Sequence, residues 1–175
     1  MANRQALKEL QERLAARLRE ARDEAVAVAA WLAVECGERR FLLPLAQAGE
    51  IFSWNGVQDV PYTQAWFLGV ANLRGVLCGV VDLERMLGAA HERSEQQLTE
   101  SSVVTLASAL QINVALLVQR LVGLRGVEAF VASEPPDAGA PAYFGSVYLD
   151  AQGMRWQELR LQVLAQDPVF LHIGG

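Results

Sequence analysis

Lysine is almost missing from this chain: Lys8 is the only one, and the other fourteen of its fifteen cationic residues are arginine. A Gly-x-x-x-x-Gly-Lys-Ser/Thr phosphate loop has nowhere to sit outside the N-terminus, and none occurs there, which removes P-loop nucleotide chemistry. A Schiff-base lysine has the same single residue to draw on. Histidine is nearly as scarce, with His91 in a charged stretch and His172 near the end. Cysteine is limited to Cys36 and Cys78, 42 residues apart, so no His/Cys cluster offers metal-ligand spacing and no cofactor or metal is expected. Long apolar runs are absent too. The longest, Ala25 to Val34, has ten residues, half of what a bilayer crossing needs. Met1-Ala2-Asn3-Arg4-Gln5 has no apolar signal-peptide core, so the expected location is cytoplasmic. A net charge of −5 argues against nucleic acid or an anionic membrane as the main partner.

What is present reads as globular: 175 residues, 52% hydrophobic and 20% charged, enough for one domain with a sizeable core. Residues 1–28 form a separate N-terminal segment. Leu7, Leu10, Leu14, Leu18, Ala21 and Ala25 recur there at steps of three or four, which predicts an amphipathic helix over 3–25 with Asn3 as its N-cap. The helix either docks on its own domain or binds a partner or a second copy, since its leucines also fit a short heptad-like seam.

From Ala29 the period changes to that of strands. Ala29–Cys36 and Arg39–Leu45 read as a hairpin about Gly37-Glu38, with Pro44 marking an edge strand or bulge. Ile51–Trp54 is a further strand, closed by the hairpin-type dipeptide Asn55-Gly56. Val60-Pro61-Tyr62-Thr63 is expected to be extended. Residues 64–68 make one helical turn, 76–81 a strand and 83–87 a helical turn stopped by Gly88. Ala89–Ser101 reads as an exposed loop. Apolar runs at 103–106, 112–118, 121–124, 126–131, 143–149 and 155–161 continue the strands, with a loop over 133–142. Many short strands at roughly 8–12-residue spacing predict a mainly β body over 29–175, built as two small barrels in lobes of about 29–88 and 102–173.

The most informative stretch is Trp66-Phe67-Leu68-Gly69-Val70-Ala71-Asn72-Leu73-Arg74-Gly75, running on to Val80-Val81-Asp82-Leu83. Two apolar strands flank a turn that holds an Asn, an Arg and a Gly, with no nucleophile or titratable base beside them. A lone guanidinium offers a rigid fork of donors and never deprotonates, so it suits docking and not catalysis. About fifteen residues of this stretch, in order, resemble the signature of CheW-like chemotaxis adaptor domains. The similarity extends more loosely from about Trp31 to about Ile173. The extended N-terminus resembles the type IV pilus (twitching-motility) adaptors of that family.

The resemblance implies two SH3-like five-stranded β-barrels on a shared apolar core, preceded by the N-terminal helix. It also implies a non-catalytic adaptor that couples a methyl-accepting chemoreceptor to a CheA-type histidine kinase. The residues it marks for receptor or kinase binding are Glu50, Val70, Asn72, Leu73, Arg74, Gly75, Val76 and Val104, with Glu50 the partner of Arg74. Where the family often has Val-Asp-Gly in the second half, this chain reads Val118-Gln119-Arg120-Leu121.

Two other readings stand beside this one. The first is a helix-mediated dimeric interaction module outside chemosensing. The second is a hydrolase built on Cys78 and His91, disfavoured because Cys78 reads as a buried strand thiol. Asp82 is read as the cap of the turn at Leu83.

Overall fold

The computed structural model describes residues 2–175; the side chains of 2–4, 7 and 24–28 lie outside that description. The N-cap expected at Asn3 and the stripe positions Leu7 and Ala25 therefore fall outside the described side chains. The first element, α1, is a helix over Ala2–Val28. Every described side chain in its middle, from Lys8 to Asp23, is exposed. No described helix is long and apolar enough to cross a membrane.

Five strands follow: β1 (Trp31–Cys36), β2 (Arg39–Pro44), β3 (Ala48–Ser53), β4 (Phe67–Leu73) and β5 (Val76–Asp82). Short helices α2 (Leu83–Met86) and α3 (Glu95–Thr99) lead to β6 (Ser102–Leu106), β7 (Val114–Val118), β8 (Arg120–Arg125) and β9 (Phe130–Glu134). The chain ends with β10 (Phe144–Asp150), β11 (Arg155–Leu159), α4 (Leu161–Leu164) and α5 (Pro168–Leu171). The body is mainly β, as the strand spacing predicts. Its strands make two sheets, one in the order β8-β1-β2-β11-β10-β9 and one in the order β3-β6-β7-β5-β4. Neither is closed by a continuous ladder, and each takes strands from both halves of the sequence.

Period-two alternation explains how these sheets share their interior. Leu32, Val34, Phe41 and Leu43 of the six-stranded sheet meet Val81, Val104, Leu116 and Val118 of the other in one common core. The alternate residues Trp31, Ala33, Leu42 and Trp156 form a second cluster on the other face of the six-stranded sheet. Val80, Val103, Ala115 and Leu117 do the same for the five-stranded sheet. Strands buried on both faces lose the polar half of the alternation, which is why Trp31-Leu32-Ala33-Val34 reads as one apolar run.

Several local expectations change. Strand β2 is central, between β1 and β11, and Pro44 is tolerated because it is the last residue of the strand. Asn55-Gly56 starts no hairpin, because β3 pairs with the distant β6; the chain instead runs on to Gln58, which exchanges two hydrogen bonds with Val70 at 2.8 and 2.9 Å. Tyr62 is left-handed (φ 58) and not extended, pinned where Gly175 donates to its carbonyl at 2.9 Å. The 64–68 segment is already strand from Phe67.

The 89–101 connection is not simply a loop. Ser94 and Gln97 form a capping box at the start of α3. Just before it, the Arg93 side chain is only 4% exposed; its Nε lies 2.9 Å from Asp82 Oδ2 and its Nη2 lies 2.8 Å from Glu84 Oε2. Asp82 also caps α2, as expected, accepting from the backbone N–H of Glu84 and of Arg85.

Candidate functional site

Strands β4 and β5 are joined by only two residues, Arg74 and Gly75, with Leu73 in register with Val76. Both loop residues have positive φ, 50° and 83°, the arrangement of a type I′ hairpin turn. Gly75 adopts it freely, whereas a non-glycine residue there is held at a cost of about 1–3 kcal/mol. Asn72 fixes the turn by accepting the Gly75 N–H through Oδ1 at 2.8 Å. At the far end of β4, Gly69 (φ 138) lets the backbone of Gln58 approach where a Cβ would collide. The glycines of the motif therefore set its shape, and the arginine is the residue placed against local preference.

The Arg74 guanidinium is 75% exposed and pairs with Glu50, Nη1 to Oε2 at 2.6 Å. Glu50 lies on β3, the opposite edge strand of the same sheet, so the pair spans the open side of the sheet. The backbone of Glu50 is held by Thr105, whose Oγ1 accepts the Glu50 N–H at 2.8 Å, at an irregularity in the β3–β6 register. The guanidinium carbon lies 5.9 Å from the centroid of the Phe52 ring, which steadies the stem without hiding the donors. An ion pair this exposed adds only about 0.2–1 kcal/mol to stability, which leaves the arginine free to exchange partners.

Two clefts flank the hairpin tip. One, about 380 Å³, is lined by Glu50, Phe52, Leu73, Val76 and Cys78 among others. The other, about 420 Å³, is lined by Trp54, Val57, Val70, Asn72 and Leu73 among others. Leu73 belongs to both, and the exposed apolar residues Ile51 (46%), Val76 (46%) and Leu77 (64%) complete a greasy collar around the Arg74–Glu50 pair.

The structure thus brings together Glu50, Val70, Asn72, Leu73, Arg74, Gly75 and Val76. Val104 lies apart from them: it is 1% exposed, belongs to the common core, and lines neither cleft. Alternation puts Val103, and not Val104, on the face that lines the second cleft, and the phase of that alternation is not fixed by composition. Phe52, Thr105, Ile51 and Leu77 were not singled out from sequence, although the placement of Ile51 and Leu77 on strands beside the motif was a usable signal.

The hydrolase reading fails on geometry. Cys78 sits by the Glu50 cleft, 4% exposed, with burial pushing its thiol up. His91 is at a different cleft, its Nε2 3.6 Å from Glu84 Oε2. Cys36 is fully buried, and that burial takes its thiol to about 12, far from thiolate chemistry.

Comparison with known proteins gives this geometry its context. The family model described as the CheW-like domain matches residues 30–168. The "Protein PilI" of Pseudomonas aeruginosa (strain PAO1) is 29% identical over 165 residues, covering 93% of this chain and 89% of that protein. A "Probable chemotaxis protein CheW" of Rhizobium etli is 33% identical over 57 residues, 33% of this chain and 37% of its own length. Among solved structures, the scaffolding protein TtCheW of Thermoanaerobacter tengcongensis has the same fold, with a TM-score of 0.62 at 16% identity over 75% of this chain and 88% of that one. With its two sheets on a common core and the Asn72–Gly75 turn at the tip of the β4–β5 hairpin, the chain belongs to the CheW-like domain family.

Proposed function

We propose that this protein is a non-catalytic cytoplasmic adaptor that couples the cytoplasmic tip of a methyl-accepting chemoreceptor to a CheA-type histidine kinase, in the chemosensory control of type IV pilus twitching motility. One observation carries the reading: a guanidinium 75% exposed, held by a strained turn and one surface carboxylate, inside an apolar collar. Such a group has nothing to do but bind. Glu50, Asn72, Leu73, Gly75 and Val76 shape and orient it, Val70 forms the wall of the second cleft, and Val104 supports the sheet from behind. Residues 29–175 act as the adaptor unit, with residues 1–28 an appended element through which two copies associate.

Binding of receptor and kinase to the same rigid body links them, because each contact then favours particular states of the other. Similarity to the Pseudomonas PilI over nearly the whole of both chains supports the pilus assignment over a flagellar one.

The test is co-sedimentation of the protein with receptor-tip fragments and kinase, native against Arg74→Glu. The charge-reversed chain should keep its fold and lose ternary binding. Undiminished ternary binding by Arg74→Glu would remove the hairpin tip from the interface.

A further inference from the structure

Strand β3 gains a residue where it passes β6. Ala48 stands opposite Leu106 and Ile51 opposite Val104, so three steps along β3 meet two along β6, and Gly49 and Glu50 share Thr105 as their neighbour. That is a β-bulge. Its effect on side-chain direction shows in the packing. Ala48 packs on the common core, whereas Phe52, four residues further on, packs in the cluster on the opposite face of the sheet. An unbroken strand keeps residues four apart on one face. Continued in phase from Ala48, Glu50 and Phe52 would both point at the core, where a carboxylate without a partner is costly. The extra residue turns them onto the face of the Glu50 cleft, which Phe52 and Thr105 also line.

The two side chains turned in this way are the two that meet Arg74. Glu50 pairs with its guanidinium, and the Phe52 ring centroid lies 5.9 Å from the guanidinium carbon. The exposed arginine is therefore steadied by an irregularity on the opposite edge strand as well as by its own hairpin.

Two residues keep the bulge in place. Glu50 has no register partner on β6, and the Thr105 hydroxyl serves both of its backbone groups instead. It accepts the Glu50 N–H at 2.8 Å and donates to the Glu50 carbonyl at 3.3 Å. Gly49 leaves the room for this, since a Cβ there would collide with Thr105 Oγ1 and press on the carbonyls of Thr105 and Leu106. We infer that Thr105 is a positioning residue of the hairpin tip: with Gly49 it locks a bulge that aims Glu50, and Glu50 in turn aims the Arg74 fork. A guanidinium already held in place loses less freedom on binding. That the aimed fork meets a partner rests on the proposed function; that Thr105 aims it does not.

The test has one arm without a partner and one with. In the full chain, the NMR order parameter of the Arg74 guanidinium should fall in Thr105→Val, which exchanges the hydroxyl for a methyl, and should fall as far in Glu50→Gln. Thr105→Ser, which keeps the oxygen, should restore it. Melting temperatures of all three should stay close to that of the native chain, because the Thr105–Glu50 bonds lie at the surface. Ternary co-sedimentation with receptor-tip fragments and kinase should weaken about fivefold in Thr105→Val, and no further when Thr105→Val is added to Glu50→Gln, as expected of residues that act through one another. Guanidinium order left unchanged by Thr105→Val overturns the inference. So does an equal loss of binding in the native and Glu50→Gln backgrounds, which would make Thr105 a direct contact. Undiminished binding by Arg74→Glu, with guanidinium order still governed by Thr105, overturns the adaptor reading of the tip and leaves the positioning role standing.

Discussion

Arg74 and Arg93 perform the same chemistry in opposite settings. Each presents its guanidinium to carboxylates at hydrogen-bond distance, Arg74 to Glu50 and Arg93 to Asp82 and Glu84. Arg93 is 4% exposed, and the two acids it serves are withdrawn from water as well. It ties the connection before α3 to the end of β5, and removing it would strand two charges in the interior. Arg74 is 75% exposed, bound to one carboxylate that water also reaches. Burial, and not residue type or partner type, separates a fastener from a docking point.

Breaking the buried member should have the largest effect. Arg93→Ala should lower unfolding free energy by about 3–5 kcal/mol, because it leaves Asp82 and Glu84 without their counter-charge. Urea denaturation measures this, and a loss under 1 kcal/mol would mean that water relieves the acids. Arg74→Glu should do the reverse: partner binding weakens by about 2–5 kcal/mol if the interface excludes water, while stability moves by no more than about 1 kcal/mol. Isothermal titration with a receptor-tip fragment beside a melting curve separates the two. Asn72→Ala probes the turn beneath the arginine. Losing the bond to the Gly75 N–H should cost about 1 kcal/mol and weaken partner binding less than the loss of Arg74 itself.

The smallest effect is expected on the far sheet and depends on pH. Asp150 accepts from Trp156 Nε1 at 3.0 Å and from the backbone N–H of Met154 and Gln152, which holds its carboxyl below the usual range. A depressed folded-state value makes this contribution fully present above the unfolded value of about 3.9, and it is lost as pH falls through the folded value. Acid unfolding of Asp150→Asn should therefore begin from a slightly lower stability and show a shallower loss below about pH 4. An unchanged acid limb would mean that the bonds persist in the protonated form.

The contrast also marks what sequence could reveal. The β4–β5 hairpin was legible because its turn chemistry is local: an Asn, an Arg and a Gly between two apolar runs, with the Asp82 cap following. The pairing of Arg74 with Glu50 was legible only through resemblance, since it crosses from one edge strand to the other. Arg93 was not legible at all. It sits in a polar stretch that reads as loop, and only the tertiary position of Asp82 and Glu84 draws it inward. The burial of Val104 was not legible for a related reason: Ser102 and Thr105, three residues apart, fall on opposite faces of β6 and so give the strand no phase. Asn55-Gly56 carries a strong local signal for a hairpin that the distant β6 overrides.

The interleaving of the two halves has a temporal consequence. Strand β11 inserts between β2 and β10, so the six-stranded sheet has a gap at its centre until Leu159 has left the ribosome. The first hairpin is synthesised more than a hundred residues earlier and must wait with Trp31 to Val34 greasy on both sides. Its final neighbours β8 and β11 both arrive late, which makes the waiting hairpin the natural target of holding chaperones.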